Sequence, residues 1–359
     1  MTQYLRNAWY AVAYSDEVAD RPLGRTMLGT ELVIYRDSAG KAVILYDRCP
    51  HRFAPLSVGK VIGDVIQCPY HGLQFDATGR CTRNPHSKGG KPLQAARVAA
   101  FPVLERYGVI WYWPGNNALA QESALPRIEF LEHPERFGIV KGYLHVKSNY
   151  QLIVDNLLDL THASYIHPEF ASRAGITPEQ SLAATTVRLE RRERSLRNYR
   201  LRSGLPAPVP SQKLFGFGPD TPVHAKTHMT WYPPGLLDFD AGNWVMDTPE
   251  EDGAHIPQLH VISPETEFTS HYFFINGRNR RIGDKEVDNA LLQMFDRAFR
   301  QQDEPMIELV QQRMGAVSDL DQLRPILLAT DEASVTARRI LAKCIAEEQS
   351  ASVQTVATR

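Results

Sequence analysis

The sequence predicts a two-domain α+β protein, with an all-β domain over residues 1–116 and an α+β domain over residues 117–359. Three observations carry this prediction. At roughly 150 residues per domain, 359 residues exceed one ordinary domain. Through residue 115, short runs rich in Val, Ile, Tyr and Trp alternate with turn signals, the signature of a small sandwich or barrel. After that, a strand-rich stretch gives way to two helical segments, an order that suits an α+β domain.

The elements follow in chain order. Residues 9–14, 31–36, 41–46, 61–67 and 109–113 read as strands. Asp37-Ser38-Ala39-Gly40 and Asp76-Ala77-Thr78-Gly79 read as turns between strands. Trp113-Pro114-Gly115-Asn116-Asn117 ends the pattern and sets the domain boundary. Residues 150–162 then read as a helix, and residues 183 to 276 as mixed and strand-rich. Proline-rich 206–210 and 249–257 read as loops, and 284–314 and 331–348 as helices. The last ten residues, rich in Ser, Thr and Ala, are expected to form a frayed tail.

Composition removes several function classes. Forty basic residues balance 41 acidic ones, for a formal charge of -1. Nucleic acid and anionic membrane are therefore not expected partners, because both demand a basic excess. No run of 18 apolar residues occurs, and the amino terminus lacks a signal-peptide pattern. Four cysteines cannot build a disulfide framework for 359 residues. The expectation is a cytoplasmic protein with reduced thiols.

Two of those cysteines sit beside histidines. Cys49-Pro50-His51 and Cys68-Pro69-Tyr70-His71-Gly72 each place one thiolate and one imidazole in a short loop after a strand. One such pair would be ordinary buried cysteine with a nearby histidine; two pairs point to a metal. Zinc competes, although zinc knuckles commonly pair like with like. One Cys and one His from each loop suit a 2Fe–2S cluster in which two sulfurs hold one iron and two imidazoles the other.

The second constellation lies in residues 149–162. Ile153, Leu157 and Leu160 form an apolar stripe, while Leu152, Val154 and Leu158 cover other sides, so the helix reads as buried nearly all round. Asp155, Asp159 and His162 nevertheless fall at i, i+4 and i+7, on one face. Ionisable groups buried there cost several kcal/mol unless they are paired or bind metal. His167 follows five residues after His162, and Pro168 suggests that the helix opens between the two. A hydrogen-bonded Asp–His pair is one reading. Two histidines and a carboxylate around a mononuclear Fe(II) is the other.

The motif CPH-x16-CPYHG, with the flanks Asn7-Ala8-Trp9-Tyr10 and CPHRFAPLS, resembles the Rieske non-haem iron oxygenases. The likeness covers almost the whole chain, from Arg21-Pro22-Leu23-Gly24-Arg25 to Thr330-Asp331-Glu332-Ala333, and is strongest to the vanillate and dicamba O-demethylase group. It implies a Rieske domain followed by a helix-grip catalytic domain, an antiparallel sheet with helices. It also implies that Cys49, His51, Cys68 and His71 hold the cluster. Asn156-x2-Asp159-x2-His162-x4-His167 is similar to the catalytic-iron motif. The resemblance makes His162 and His167 ligands and Asp159 an electron bridge, hydrogen-bonded to His71 of the next subunit in a head-to-tail homotrimer. Among the late carboxylates Asp296, Asp303, Glu304 and Asp331, the segment around Asp303 best resembles the third ligand's, and Pro305 marks an irregular helix there.

The resemblance further implies a terminal oxygenase. It would use O2 and electrons from NAD(P)H, delivered by a separate flavin and ferredoxin-type reductase, since no GxGxxG follows a strand. The expected reaction is O-demethylation of a methoxybenzoate with release of formaldehyde. Hydroxylation of an aryl methyl group or ring is the alternative. A Rieske electron carrier would need only the first 115 residues, and a zinc-stabilised binding protein would be colourless. His260, Asp238, Met294 and Phe295 are the expected substrate contacts, although a carboxylate at Asp238 would repel an acidic substrate unless protonated or paired.

Overall fold

Short β-branched and aromatic runs pair only with neighbours that the turns bring back, and this governs the first domain. In the computed structural model, which describes residues 4–167 and 176–357, the chain divides into two units. One comprises Arg6–Leu125 with Ser263–Glu267. It holds a three-stranded sheet, Tyr10–Tyr14 against Val109–Tyr112 against Val103–Arg106. A four-stranded sheet runs Leu23–Met27, Thr30–Arg36, Ala42–Tyr46, Ala100–Phe101. A second four-stranded sheet runs Lys60–Ile62, Val65–Gln67, Gln74–Phe75, Cys81–Arg83. The run expected as one strand over 61–67 is thus a hairpin. It turns at Gly63, whose φ of 59° lies in the left-handed region that glycine enters without steric cost. Val33, Leu45, Ile66 and Phe75 form a core shared by both four-stranded sheets.

The unit ends after Leu125 rather than at residue 116. The 3-10 turns beyond the boundary stay attached because Trp9 Nε1 donates to the Gln121 carbonyl (2.9 Å) and the Asn116 amide to Asn7 Oδ1 (2.8 Å). Residues 263–267 join it because the Leu28 and Gly29 amides donate to the Pro264 and Glu265 carbonyls at 2.9 and 2.8 Å.

The other unit is built on an eight-stranded sheet in the order Gly138–Val146, Ser270–Arg278, Gln258–Pro264, Leu236–Val245, Pro222–Tyr232, Leu196–Pro206, Thr185–Arg191. The short strand Ala254–His255 pairs with Leu236–Val245 off this path. Its long strands pair antiparallel, as the resemblance to the helix-grip domain implies. The helix Tyr150–Leu158 packs against Glu304–Met314 and Glu332–Ala357. The last helix continues through Ala357, so most of the expected frayed tail is helical backbone. Among the described residues, no helix is long and apolar enough to cross a membrane.

Candidate metal centres

The two Cys-His loops share one backbone pattern. In each, the cysteine carbonyl accepts from the amide four residues on, Phe53 to Cys49 (2.9 Å) and Gly72 to Cys68 (3.1 Å). In each, the cysteine amide donates to the carbonyl five residues on, Ala54 (2.9 Å) and Leu73 (2.8 Å). Equivalent turns present equivalent side chains. Cys49 and Cys68 are both 1% exposed and lie within hydrogen-bonding reach of each other. The His51 and His71 rings stand 4.4 Å apart. Burial pushes the Cys49 thiol up to about 11, so a thiolate there needs a cation beside it. Partial burial lowers the pKa of His71 and favours neutral imidazole. The His71 Nδ1 is shielded from solvent without a hydrogen-bond partner. Two buried thiols and an orphaned imidazole nitrogen fit a 2Fe–2S cluster. Cys81 is buried in the same core as Cys49 and Cys68, with its thiol against the Arg83 carbonyl, and Cys344 is buried in the other unit.

The second constellation departs from the expected continuous helix. Its backbone leaves the helical region at Asp159 (φ -108°, ψ 96°), three residues before His162, and resumes with Ala163–Ile166 between the two histidines. Asp155, Asp159 and His162 therefore do not form one stripe. Asp159 acts as an N-cap: its Oδ1 accepts from the Thr161 amide (2.9 Å) and hydroxyl (2.7 Å). Its contact with His162 runs through the Asp159 main-chain carbonyl, 2.5 Å from Nδ1. Asp155 forms a buried ion pair with Arg338 instead. Pro168, expected to open the helix, lies outside the described residues.

That opening turns both rings toward Asp303, which is 6% exposed. His162 Nε2 lies 3.5 Å from Asp303 Oδ1, and His167 Nε2 lies 3.2 Å from Oδ2. All three potential ligand atoms fall within 4.8 Å of one another. His167 Nδ1 faces Gln302 Oε1 at 2.7 Å, so both Nδ1 atoms meet acceptors and carry the protons. Two Nε2 lone pairs then confront a buried carboxylate, a repulsive set that a cation resolves. Asn156 Nδ2 donates to Asp303 Oδ1 at 3.2 Å and steadies it. Asp303 ends a π-helical stretch, Asp296–Asp303, which passes into the α-helix Glu304–Met314. Pro305 lacks the N–H that an α-helical bond to the preceding turn would use, the irregularity expected there.

Comparison with known proteins shows the family. Residues 8–102 match the Rieske [2Fe-2S] domain, and residues 146–347 match the vanillate O-demethylase oxygenase C-terminal domain. The dicamba O-demethylase oxygenase component of Stenotrophomonas maltophilia is 39% identical over 95% of this chain and 97% of its own length. The chain belongs to the Rieske non-haem iron oxygenases. The chloroacetanilide N-alkylformylase oxygenase component of Rhizorhabdus wittichii is 38% identical over 94% of each chain. A crystal structure of dicamba monooxygenase bound to 3,6-dichlorosalicylic acid superposes with a TM-score of 0.88 at 36% identity, covering 97% of this chain and 99% of that one. Another dicamba monooxygenase structure, with a TM-score of 0.81 at 35% identity over 99% and 100% of the two chains, contains non-haem iron and dicamba. As a member of this family the chain is an enzyme with a 2Fe–2S cluster and a mononuclear iron as its cofactors.

In this oxygenase a cavity of about 340 Å3 opens beside His162, His167 and Asp303. Neighbouring strands of the sheet supply much of its lining. Met229 and Thr227 face it from one strand, Phe239, Ala241 and Asn243 from the next, and Gln258 and His260 from a third. Met294 and Phe295 also line it. Asp238 does not. It neighbours Phe239 along the strand and so points to the opposite face, where burial and Asp240 raise its pKa to about 6. His260 is 1% exposed, meets the Tyr272 hydroxyl at 2.8 Å and is held neutral by burial, its pKa lowered to about 3. Sequence reasoning missed Gln302 and Phe299. Phe299 stacks on Phe295 (5.6 Å between centroids) and stands edge-on to His260 (5.7 Å). The i, i+4 spacing of the two phenylalanines was the available signal.

Proposed function

We propose that this oxygenase removes the methyl group of a methoxy-substituted aromatic acid. The observation that carries the reading is an apolar-walled cavity ending on two imidazole Nε2 atoms and one buried carboxylate. His162, His167 and Asp303 are the residues that would hold the iron. Cys49 and Cys68 would hold one iron of the cluster, and His51 and His71 the other. When bound, these groups supply single-electron transfer and O2 activation. The chain's own residues do the rest. Asn156 and Gln302 orient the carboxylate and one imidazole. Leu157, Met229, Phe239 and Phe299 exclude water from the reacting methyl group. His260, neutral and buried, offers its ring to the substrate's polar end.

The overall reaction takes a methoxyarene, O2, two electrons and two protons to a phenol, formaldehyde and water. It passes through a hemiacetal that collapses once the methyl carbon is oxidised. Electrons come from NAD(P)H through a separate reductase, consistent with the words "oxygenase component" in the names of the relatives. A head-to-tail homotrimer, with His71 of one subunit facing Asp159 of the next, belongs to the same reading. The test is incubation of the reconstituted enzyme and a reductase with methoxy- and methyl-substituted benzoates and arylsulfonates. Formaldehyde release matched to oxygen uptake is expected. An alcohol formed without formaldehyde would replace demethylation by methyl hydroxylation.

A further inference from the structure

Three cations that neither metal centre uses line the cavity, Arg200, Arg202 and Lys226. Arg200 and Arg202 sit two residues apart on the strand Leu196–Pro206, share one face, and both line the cavity. Among the described residues, no hydrogen bond or ion pair engages the Arg200 guanidinium. Asp159 attracts it from a distance, but its Oδ1 is committed to Thr161. Arg202 makes one side-chain bond, from Nη2 to the Pro206 carbonyl at 3.0 Å, leaving most of its donors available. Burial lowers the pKa of both guanidiniums, though arginine stays protonated throughout the working range.

Among the described residues, no other charge on the cavity wall answers them. Lys226 turns its ammonium to Asp240 (2.7 Å) and Glu250 (2.5 Å). Asp303 is the one carboxylate among the described lining residues, and it faces the two histidines. Asp238 and Asp240 occupy the far side of the sheet, so neither repels an acid entering the cavity. Partly buried cations without counter-ions are costly, and a bound anion repays that cost. Two guanidinium forks also match the planar geometry of a carboxylate.

We propose that Arg200 and Arg202 clamp the acid group of the substrate and thereby select aryl anions over neutral arenes. The ring then lies against Met229, Phe239 and Phe299, with its methyl-bearing end toward His162, His167 and Asp303. This inference rests on the reading that the cavity takes the substrate.

Calorimetric titration of the anaerobic holoenzyme with 2-, 3- and 4-methoxybenzoates and their matched benzamides tests it, with 4-toluenesulfonate as a second anion. At least one acid is expected to bind about tenfold or more tightly than its amide. The Arg200→Gln/Arg202→Gln double variant should erase that preference, and Arg200→Lys should retain part of it. An unchanged thermal midpoint and mononuclear iron content show that the unit carrying the variants is folded. A tighter sulfonate than carboxylate supports the clamp and identifies the anion as a sulfonate. The clamp is overturned if acids and amides bind alike, if no acid binds, or if the preference survives in the double variant. Formaldehyde release separates the two proposals. Acid held by the arginines without formaldehyde would sink demethylation alone, and undiminished formaldehyde from acids in the double variant would sink the clamp alone.

Discussion

At the scale of single residues, the chemistry depends on which nitrogen of each histidine carries its proton. The Asp159 carbonyl and Gln302 amide oxygen hold protons on Nδ1 and free both Nε2 atoms. Asp303→Asn removes the charge that those lone pairs share a cation with. The expected result is loss of the mononuclear iron with the cluster retained, so iron falls from about three to about two per chain. Metal analysis beside the visible spectrum reads this directly. His260 gives a second prediction, in pH. The unfolded chain takes up a proton near pH 6.5 that the folded one refuses until about pH 3, so stability falls as pH drops through that window. The slope is about 1.4 kcal/mol per pH unit. Between pH 6.5 and 4.5, His260→Gln should therefore lose roughly 2–3 kcal/mol less than the parent in denaturant unfolding. Equal losses would mean that the folded state accommodates the charged ring.

At the scale of elements, the paired cluster loops solve one backbone problem in two ways. Each requires a left-handed residue four positions after its cysteine, Gly72 at φ 70° in one and Phe53 at φ 59° in the other. Glycine enters that region freely, whereas a residue with Cβ pays about 1–2 kcal/mol. Gly72→Ala should cost about that much and lower the midpoint of cluster bleaching on heating, the more so because the added carbon would lie 3.2 Å from Pro85 Cγ. Phe53→Gly should raise the same midpoint. A fall in both variants would show that the Phe53 ring, with Arg48 stacked 4.9 Å above it, contributes more than its backbone costs. The catalytic helix illustrates a misread element. Its apolar stripe runs on in sequence past Leu158, but Asp159 caps Thr161 and ends it. Asp followed two residues later by Thr was a legible cap signal, masked because hydrophobic spacing continued through it. The π-helical approach to Asp303 was legible only as a proline after the ligand.

At the scale of the whole molecule, the proposal makes electron transfer a property of the assembly. Asp159→Asn should leave iron near about three per chain and the cluster reducible by the reductase, while substrate turnover falls toward background. Rapid-mixing spectroscopy would show the reduced cluster persisting in the presence of O2 and substrate. Turnover at the parental rate would remove Asp159 from the electron path. Its carboxylate already bonds Thr161, so the variant's thermal midpoint should be followed in parallel to separate loss of the cap from loss of the bridge.

The sequence by itself determined the division into a Rieske and a catalytic domain, the α+β class and the residue types proposed to bind metal. These are local signals: ligand chemistry demands particular side chains at short spacings, and turn residues punctuate strands wherever they fall. The resemblance pointed to Asp303, but only tertiary structure decided how closely it meets His162 and His167, that Gln302 orients one of them, and that Asp238 turns away from the cavity. It also decided that Arg200 and Arg202 face the cavity. Convergence of residues more than a hundred positions apart depends on sheet order and helix packing, which no local spacing encodes. Which face of a strand lines a cavity is set by register, and a shift of one residue reverses it.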